Sequence, residues 1–140
     1  MNKKLRHIAS LIAVAGFLTI AYGSDDEKTT EIAISSETPS LKVSAIKLYA
    51  DYEANGVAAD EKYKDKVLQV TGKITTIDRD IMDKIYVTLK GNQYFGDVQC
   101  FFAEDHIQTA MKLSKGQKIT VKGKCNGKMM NVLLKGCIIE

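Results

Sequence analysis

The sequence of 140 residues has no tryptophan, one proline and three cysteines. It also lacks a Gly-x-Ser-x-Gly motif, a glycine-rich phosphate-binding loop and a His-Glu-x-x-His pair, which are the usual signatures of serine hydrolases, nucleotide-binding enzymes and zinc proteases. Hydrophobic residues make up 45% and charged residues 26%, and this ordinary balance excludes collagen-like, low-complexity and polytopic membrane chains. A chain of this length is expected to form one domain, and its residues point away from an enzyme.

Metal ligands and catalytic bases are scarce as well. The sequence has no Cys-x-x-Cys pair, and a set drawn from Cys100, His106, Cys125 and Cys137 matches no zinc module in its spacing. A nucleophilic cysteine would need a nearby base, but His106 is the only histidine beyond the N-terminal segment, and it stands beside Asp105 in a polar stretch. We therefore expect no catalytic residue, no metal and no cofactor.

The first 23 residues are arranged like a secretory signal peptide. Positive charges come first, at Lys3, Lys4 and Arg6. The apolar run from Ile8 to Tyr22 is shorter than the ~20 residues that a bilayer span needs, and small residues precede a cleavage point after Gly23. We expect cleavage after Gly23 and export to the periplasm or cell envelope, the alternative being an uncleaved N-terminal anchor. A lipid anchor is not expected, because the first cysteine is Cys100.

Charge is unevenly distributed in the chain that would remain after cleavage of the signal peptide. Removing residues 1–23 takes away three bases and no acid, which leaves 17 bases, 17 acids and a net charge of zero. Residues 24–65 hold ten acids and five lysines, whereas residues 66–140 hold twelve bases and seven acids. Domains that bind nucleic acid strongly are usually far more basic, so the basic half predicts only a weak anion-facing surface. Lysines that solubilise exposed strands are the simpler interpretation.

The region before the strands divides into a linker and a helix. Residues 24–40 are polar, contain the only proline and have too few apolar residues to bury, which predicts a flexible linker. Ser40 is placed to cap a helix that begins at Leu41, since apolar residues recur there at three- and four-residue spacing. Asn55-Gly56 is a typical stop, with the glycine in the left-handed conformation, and a further turn is expected over Ala58 to Tyr63.

From Val67 onward the apolar period changes to two, which predicts β-strands. Strands are expected to begin near Val67, Ile85, Val98, Ile119 and Val132, with a short helix over Glu104 to Leu113. Turns are expected at Asp78 to Asp83, Gly91-Asn92 and Asn126-Gly127. This order, with a helix between the third and fourth strands, is that of the OB-fold, a mainly β, five-stranded Greek-key barrel. An open α+β sandwich of the same strands is the alternative.

Several stretches resemble one known family. They are Tyr52 to Lys66, continuing into Val70-Thr71-Gly72-Lys73-Ile74, then Val98-Gln99-Cys100-Phe101, Lys115 to Cys125, and the closing Val132 to Cys137. Over residues 41–140 the chain resembles the tRNA-anti-like family of secreted or lipid-anchored bacterial OB-fold proteins. The resemblance implies an OB-fold domain at 41–140 and an association with nucleic acid, through likeness to anticodon-binding domains. The chain departs from the lipid-anchored members by lacking an anchoring cysteine.

OB-folds bind ligands on the outer surface of their second and third strands. The two-residue period assigns these residues to that surface: Lys73, Lys84, Tyr86, Lys90, Gln99 and Phe101. Lysines beside aromatic rings suit phosphate contacts and base stacking, although Arg79 is the only arginine after the signal peptide and arginine is the usual residue for such contacts. We expect a non-catalytic binding module of unidentified ligand. Its candidate partners are single-stranded nucleic acid, a glycan or, in the alternative role of an adaptor, an envelope protein.

The cysteines fall in predicted strands of a chain that is expected to be exported, which favours one disulfide. Cys125–Cys137 is the predicted pair, with Cys100 left over, because the fifth strand follows the fourth directly. A hairpin centred near Gly127-Lys128 would set Cys125 opposite Met130, so a bulge or strand coiling would be needed to bring the pair together. Buried free thiols are the alternative.

Overall fold

The computed structural model of the protein describes residues 34–140, so the predicted signal peptide and most of the predicted linker lie outside the described residues. The elements follow in the order β1 (Leu41–Ser44), α1 (Ala45–Ala54), α2 (Gly56–Tyr63), β2 (Val67–Arg79), β3 (Ile85–Lys90), β4 (Asp97–Phe102), a 3-10 turn (Glu104–His106), α3 (Ile107–Ala110), β5 (Lys118–Lys128) and β6 (Val132–Ile139). None of the helices in this part of the chain is long and apolar enough to cross a membrane.

Strands β2 to β6 close into a barrel. β3 pairs antiparallel with β2 and β4, β6 pairs parallel with β4 and antiparallel with β5, and β5 closes the ring by pairing antiparallel with β2. β2 reaches both neighbours because it is 13 residues long: its first half, from Val67, pairs with β5, and its second half, to Arg79, pairs with β3. This is the closed Greek-key order of the OB-fold. The predicted fold is confirmed, and the open sandwich is wrong.

The barrel interior holds alternate apolar residues of the strands, as the two-residue period indicates. Leu68, Val70 and Ile74 of β2 are buried there. Gly72 of the same strand lies where α1 crosses it, and an added Cβ would lie 2.9 Å from the Cβ of Ala45. A residue without a Cβ is therefore needed at this point of the barrel.

The first helix begins at Ala45, four residues later than predicted. The residues of β1 are extended instead and pair parallel with β2, after the Ser40 amide donates to the Val67 carbonyl at 2.8 Å. Ser44 is the N-cap in place of Ser40, because its Oγ accepts a hydrogen bond from the Lys47 amide at 3.1 Å.

Asn55 joins two helices and does not end the helical region. Its amide donates to the Asp51 carbonyl at 3.1 Å and closes α1, while its Oδ1 accepts from the Ala58 amide at 3.1 Å and caps α2. Gly56 is the first residue of α2 and does not have a positive φ, so the predicted left-handed stop is wrong. The further turn expected up to Tyr63 is confirmed as part of α2.

Helix α1 packs against the loop of residues 91–96 through Tyr49. A Cβ on Gly91 would lie 2.8 Å from the Cβ of Tyr49, and a Cβ on Gly96 would overlap the Tyr49 hydroxyl. Gly96 also has a φ of +99°. From β5, the Lys128 ammonium bonds to Glu53 at 2.6 Å and lies over the Tyr49 ring. These contacts fix α1 against the β3–β4 loop and the end of β5.

Strand β5 continues through Asn126-Gly127, where the sequence predicts a turn, and the chain reverses at residues 129–131. Gly127 has a φ of +84° and the register with β6 shifts beside it, so the glycine forms a bulge. Cys125 is thereby set opposite Leu134. Cys100, Cys125 and Cys137 are free, buried thiols, and the predicted Cys125–Cys137 disulfide is not formed in the structure.

Two segments beside the barrel differ from the prediction. The helix expected over Glu104 to Leu113 is reduced to the 3-10 turn and the short α3, and Met111, which follows α3, is 63% exposed. Within the predicted linker, Ile34 is buried, and the Lys122 Nζ donates to the Ser35 carbonyl at 3.1 Å. The end of the linker therefore packs on the barrel.

Candidate binding face

The outer surface of β3 and β4 carries two aromatic rings that contact each other. Tyr86 and Phe101 are direct partners in the antiparallel ladder, and their ring centroids lie 5.7 Å apart at an interplanar angle of 56°. Both residues are partly exposed, whereas their chain neighbours Val87 and Cys100 are fully buried. The alternation of the strands therefore holds the two rings on the barrel wall, partly open to solvent.

A hydrogen-bond network stiffens the face beside the rings. Thr88, the next outward residue of β3, is 5% exposed although it is polar. The Thr75 hydroxyl lies 2.7 Å from that of Thr88 and donates to Asp97 Oδ2 at 2.7 Å. The Asp97 amide donates to Asn131 Oδ1 at 2.9 Å, and Asn131 Nδ2 donates to Gln99 Oε1 at 3.2 Å. The network joins β2, β3, β4 and the turn before β6.

Most of the residues predicted for the face lie on β3 and β4 or directly beside them. Lys84 precedes β3 and Lys90 ends it, and both are exposed. Gln99 takes part in the network on β4. Lys73, by contrast, lies in the half of β2 that pairs with β5, opposite Lys118. It therefore belongs to a different strand pair from the aromatic rings.

The two-residue period missed large apolar residues at the loop tips. Tyr94 and Phe95, in the loop between β3 and β4, are 77% and 86% exposed. Met129 and Met130, in the turn between β5 and β6, are 81% and 85% exposed. The hydrogen bond from the start of β4 to Asn131 holds these two loops at the same end of the barrel. Their only signal in the sequence is a pair of adjacent large apolar residues within an otherwise polar turn.

The thiols are not placed for nucleophilic chemistry or for a shared metal. Burial raises the pKa of Cys125 and the pKa of Cys137, which favours the protonated thiol over the reactive thiolate. Cys137 contacts Cys100, whereas Cys125 lies 3.6 Å from the Tyr52 hydroxyl. Within residues 34–140, no three His, Cys, Asp or Glu side chains are grouped so that they could hold a metal ion.

Comparison with known proteins places this barrel in a family. A family model, tRNA_anti-like, matches residues 4–138. The chain belongs to the tRNA_anti-like family. The match spans almost the whole chain, and the resemblance drawn from the sequence is confirmed. A comparison with curated protein sequences gives no match.

Three solved structures are similar to this tRNA_anti-like chain, and the first of them supports the fold. One is a lipoprotein from Klebsiella pneumoniae subsp. pneumoniae MGH 78578 for which nucleic-acid binding has been suggested. It is 20% identical, with a TM-score of 0.58 over 84% of this chain and 98% of that chain. The Stn1–Ten1 complex of S. pombe is 22% identical, with a TM-score of 0.41 over 53% of this chain and 57% of that chain. An OBody bound to hen egg-white lysozyme is 13% identical, with a TM-score of 0.44 over 56% of this chain and 84% of that chain.

Proposed function

We propose that this tRNA_anti-like protein is an exported, non-catalytic binding module, and that the outer face of β3 and β4 binds single-stranded nucleic acid. The observation that carries the proposal is the pair of rings of Tyr86 and Phe101, which contact each other on the open side of the barrel wall. Every base has a π face that can stack on such a ring, and stacking contributes about 1–3 kcal/mol per base. The pair can therefore hold bases without reading their sequence. The suggested role of the Klebsiella lipoprotein agrees with this proposal.

Lysine would supply the positive charge for the phosphates. Lys84 and Lys90 stand at the two ends of the strand that carries Tyr86. Arg79 bonds to Asp83 at 3.1 Å, and no other arginine follows residue 23. Because an ammonium group makes point contacts and not forked ones, we expect loose phosphate contacts. With a net charge of zero after residue 23, the chain has little long-range attraction, so its affinity should be modest and sensitive to salt.

Oligonucleotide binding should therefore fall steeply with ionic strength. A fluorescein-labelled thymidine oligonucleotide of about 10 nucleotides should bind the full chain at about 50 mM salt and lose most of its affinity at about 200 mM, as measured by fluorescence anisotropy. A labelled neutral oligosaccharide tests the glycan alternative, for which salt should have little effect. If the oligonucleotide does not bind even at the lower salt concentration, the nucleic-acid proposal is wrong.

Export is the other part of the proposal, and the order of charged and apolar residues in 1–23 supports it. We expect the mature chain to begin at Ser24. Intact-mass measurement of the protein isolated from the cell envelope should give a mass without residues 1–23. A mass that includes them would show that the segment is retained.

An envelope adaptor is a second candidate function, favoured by the exposed loop tips. Aromatic and methionine side chains are enriched in protein interfaces, and the tips carry Tyr94, Phe95, Met129 and Met130. Replacing these side chains by alanine should weaken the binding of a protein partner, and it leaves the rings of the β3–β4 face in place. The two candidate functions therefore depend on different residues.

A further inference from the structure

A second surface, separate from the rings of the β3–β4 face, lies along β1. This strand pairs with β2 alone, so no strand of residues 34–140 covers its other edge. A groove of about 290 Å³ follows the strand, and it is lined by Leu41, Lys42, Val43, Ser44, Lys47, Lys62 and Tyr63. Successive side chains of a strand point to opposite faces. All four residues of β1 line the groove, so the groove runs along the edge of the strand and not over one face.

The backbone of β1 presents hydrogen-bonding groups to this groove. β1 pairs parallel with β2, with Leu41 opposite Leu68, and the direction of the N–H and C=O groups alternates along an extended strand. Lys66 and Ile74 bond on the β5 side of β2, so the residues of β2 that face β1 are Val67, Gln69 and Thr71, and they bond to Leu41 and Val43. The amide and carbonyl groups of Lys42 therefore point away from β2, towards the open edge. An open edge of this kind can pair with the backbone of an added strand.

The groove is positively charged. The Asp51 carboxylate accepts three hydrogen bonds. Its Oδ1 accepts from the Lys47 Nζ at 2.6 Å. Its Oδ2 accepts from the Tyr63 hydroxyl at 2.6 Å and from the Lys62 Nζ at 3.4 Å. The bonds from Lys47 and Tyr63 lower the pKa of Asp51 to about 2, so this carboxylate is ionised at neutral pH. It is outnumbered by Lys42, Lys47 and Lys62, and the side chains of the last two remain 60% and 49% exposed. An excess of positive charge therefore faces an incoming ligand.

We propose that this groove binds an extended acidic segment of a partner protein, which adds as a strand to the edge of β1 and sets its carboxylates against Lys42, Lys47 and Lys62. The half-buried Leu41 and Val43 provide apolar surface for alternate side chains of that segment. Nucleic acid fits less well, because a phosphate backbone has no donors for the carbonyl groups of the edge, whereas a peptide backbone has donors and acceptors for both kinds of group. A second copy of this chain fits less well too, because lysines would meet lysines across the shared edge.

The test uses the full chain and a fluorescein-labelled peptide in which valine and glutamate alternate over about six residues. Fluorescence anisotropy should show binding that a peptide of alternating valine and lysine does not reproduce. Methylating the amides along one edge of the peptide should abolish binding, because it removes the donors to β1. Lys42→Glu should weaken binding about tenfold or more. Lys112→Glu, at an exposed lysine after α3, is the matched control and should leave binding unchanged.

Several results would overturn the proposal. Equal binding of the acidic and basic peptides would do so, and so would unchanged binding by Lys42→Glu. The chain has an acidic segment of its own at Asp25-Asp26-Glu27. If the acidic peptide binds only to the triple variant Asp25→Ser, Asp26→Ser, Glu27→Gln, the groove belongs to that segment and not to a partner protein. A loss of oligonucleotide affinity in Lys42→Glu, with no peptide binding, would make the groove a phosphate site. Tyr86→Ala should leave peptide binding intact, which separates this test from that of the proposed function.

Discussion

Gly96→Ala is expected to lower the free energy of unfolding by about 3 kcal/mol. Two costs combine at this position. The φ of +99° lies where L side chains are rarely found, and an added Cβ would overlap the hydroxyl of Tyr49. Tyr49 cannot move aside locally, because it is 5% exposed and is also in close contact with Gly91. Relief would require α1 to shift away from the loop and lose part of its packing on the barrel.

Gly56→Ala is the matched control for this prediction. Gly56 is the first residue of α2, has no positive φ, and has no heavy atom within 4 Å of an added Cβ. Alanine there should be neutral or stabilising by up to about 1 kcal/mol, because it restricts the unfolded chain. Urea unfolding followed by circular dichroism measures both variants. Small and equal effects would mean that α1 does not pack on the loop of residues 91–96 through Tyr49.

Replacing Tyr86 and Phe101 by alanine is expected to remove most oligonucleotide binding at low salt. Each ring should contribute about 1–3 kcal/mol, which corresponds to an affinity loss of about 5- to 150-fold for each single variant. The two losses should not simply add, because the rings contact each other at a centroid distance of 5.7 Å and removing one changes the surroundings of the other. Fluorescence anisotropy with the labelled thymidine oligonucleotide measures all three variants.

Tyr86→Phe is the conservative control, since it keeps the ring and should bind within about twofold of the unaltered chain. Tyr94→Ala removes an aromatic residue from a loop tip instead of the face, and we expect a smaller effect from it. Circular dichroism should show that each variant remains folded. If Tyr86→Ala and Phe101→Ala bind as tightly as the unaltered chain, the oligonucleotide contacts another surface.

The strands could be predicted from the sequence because their signal is local. Alternate residues of β4, such as Val98 and Cys100, are buried as their period indicates. The start of α1 could not be predicted in the same way. Leu41 fits the apolar spacing of a helix as well as that of a strand. The strand is favoured by a backbone hydrogen bond between Ser40 and Val67, which are far apart in the chain.

The register of the β5–β6 hairpin depends on a contact that the local sequence does not reveal. Asn126-Gly127 is a strong turn signal, yet the chain uses Gly127 as a bulge beside α2, where an added Cβ would lie 3.4 Å from Asp60 Oδ1. The bulge sets Cys125 opposite Leu134. This register does not set Cys125 opposite Cys137, and both thiols are free in the structure, so their pairing stays a prediction.

The candidate face could be predicted only in outline. The strand period places Tyr86 on the outer surface and assigns Phe101 to the same side of the next strand, and the structure pairs the two. It does not predict the network beside them, because Thr75, Asp97 and Asn131 come from three separate segments of the chain. Loop residues have no period at all, so the exposed tips could not be assigned to a surface before the barrel was known.

The most direct test of nucleic-acid binding by the β3–β4 face is to map where an oligonucleotide contacts the chain. The thymidine oligonucleotide is added in steps, at low salt, to the isotope-labelled full chain, and the backbone amide signals are followed by NMR. The signals of Tyr86, Thr88, Gln99 and Phe101 should shift first, while those of β1 stay unchanged. Shifts confined to the β1 groove or to the loop tips, or no shifts at any ratio, would contradict binding at this face.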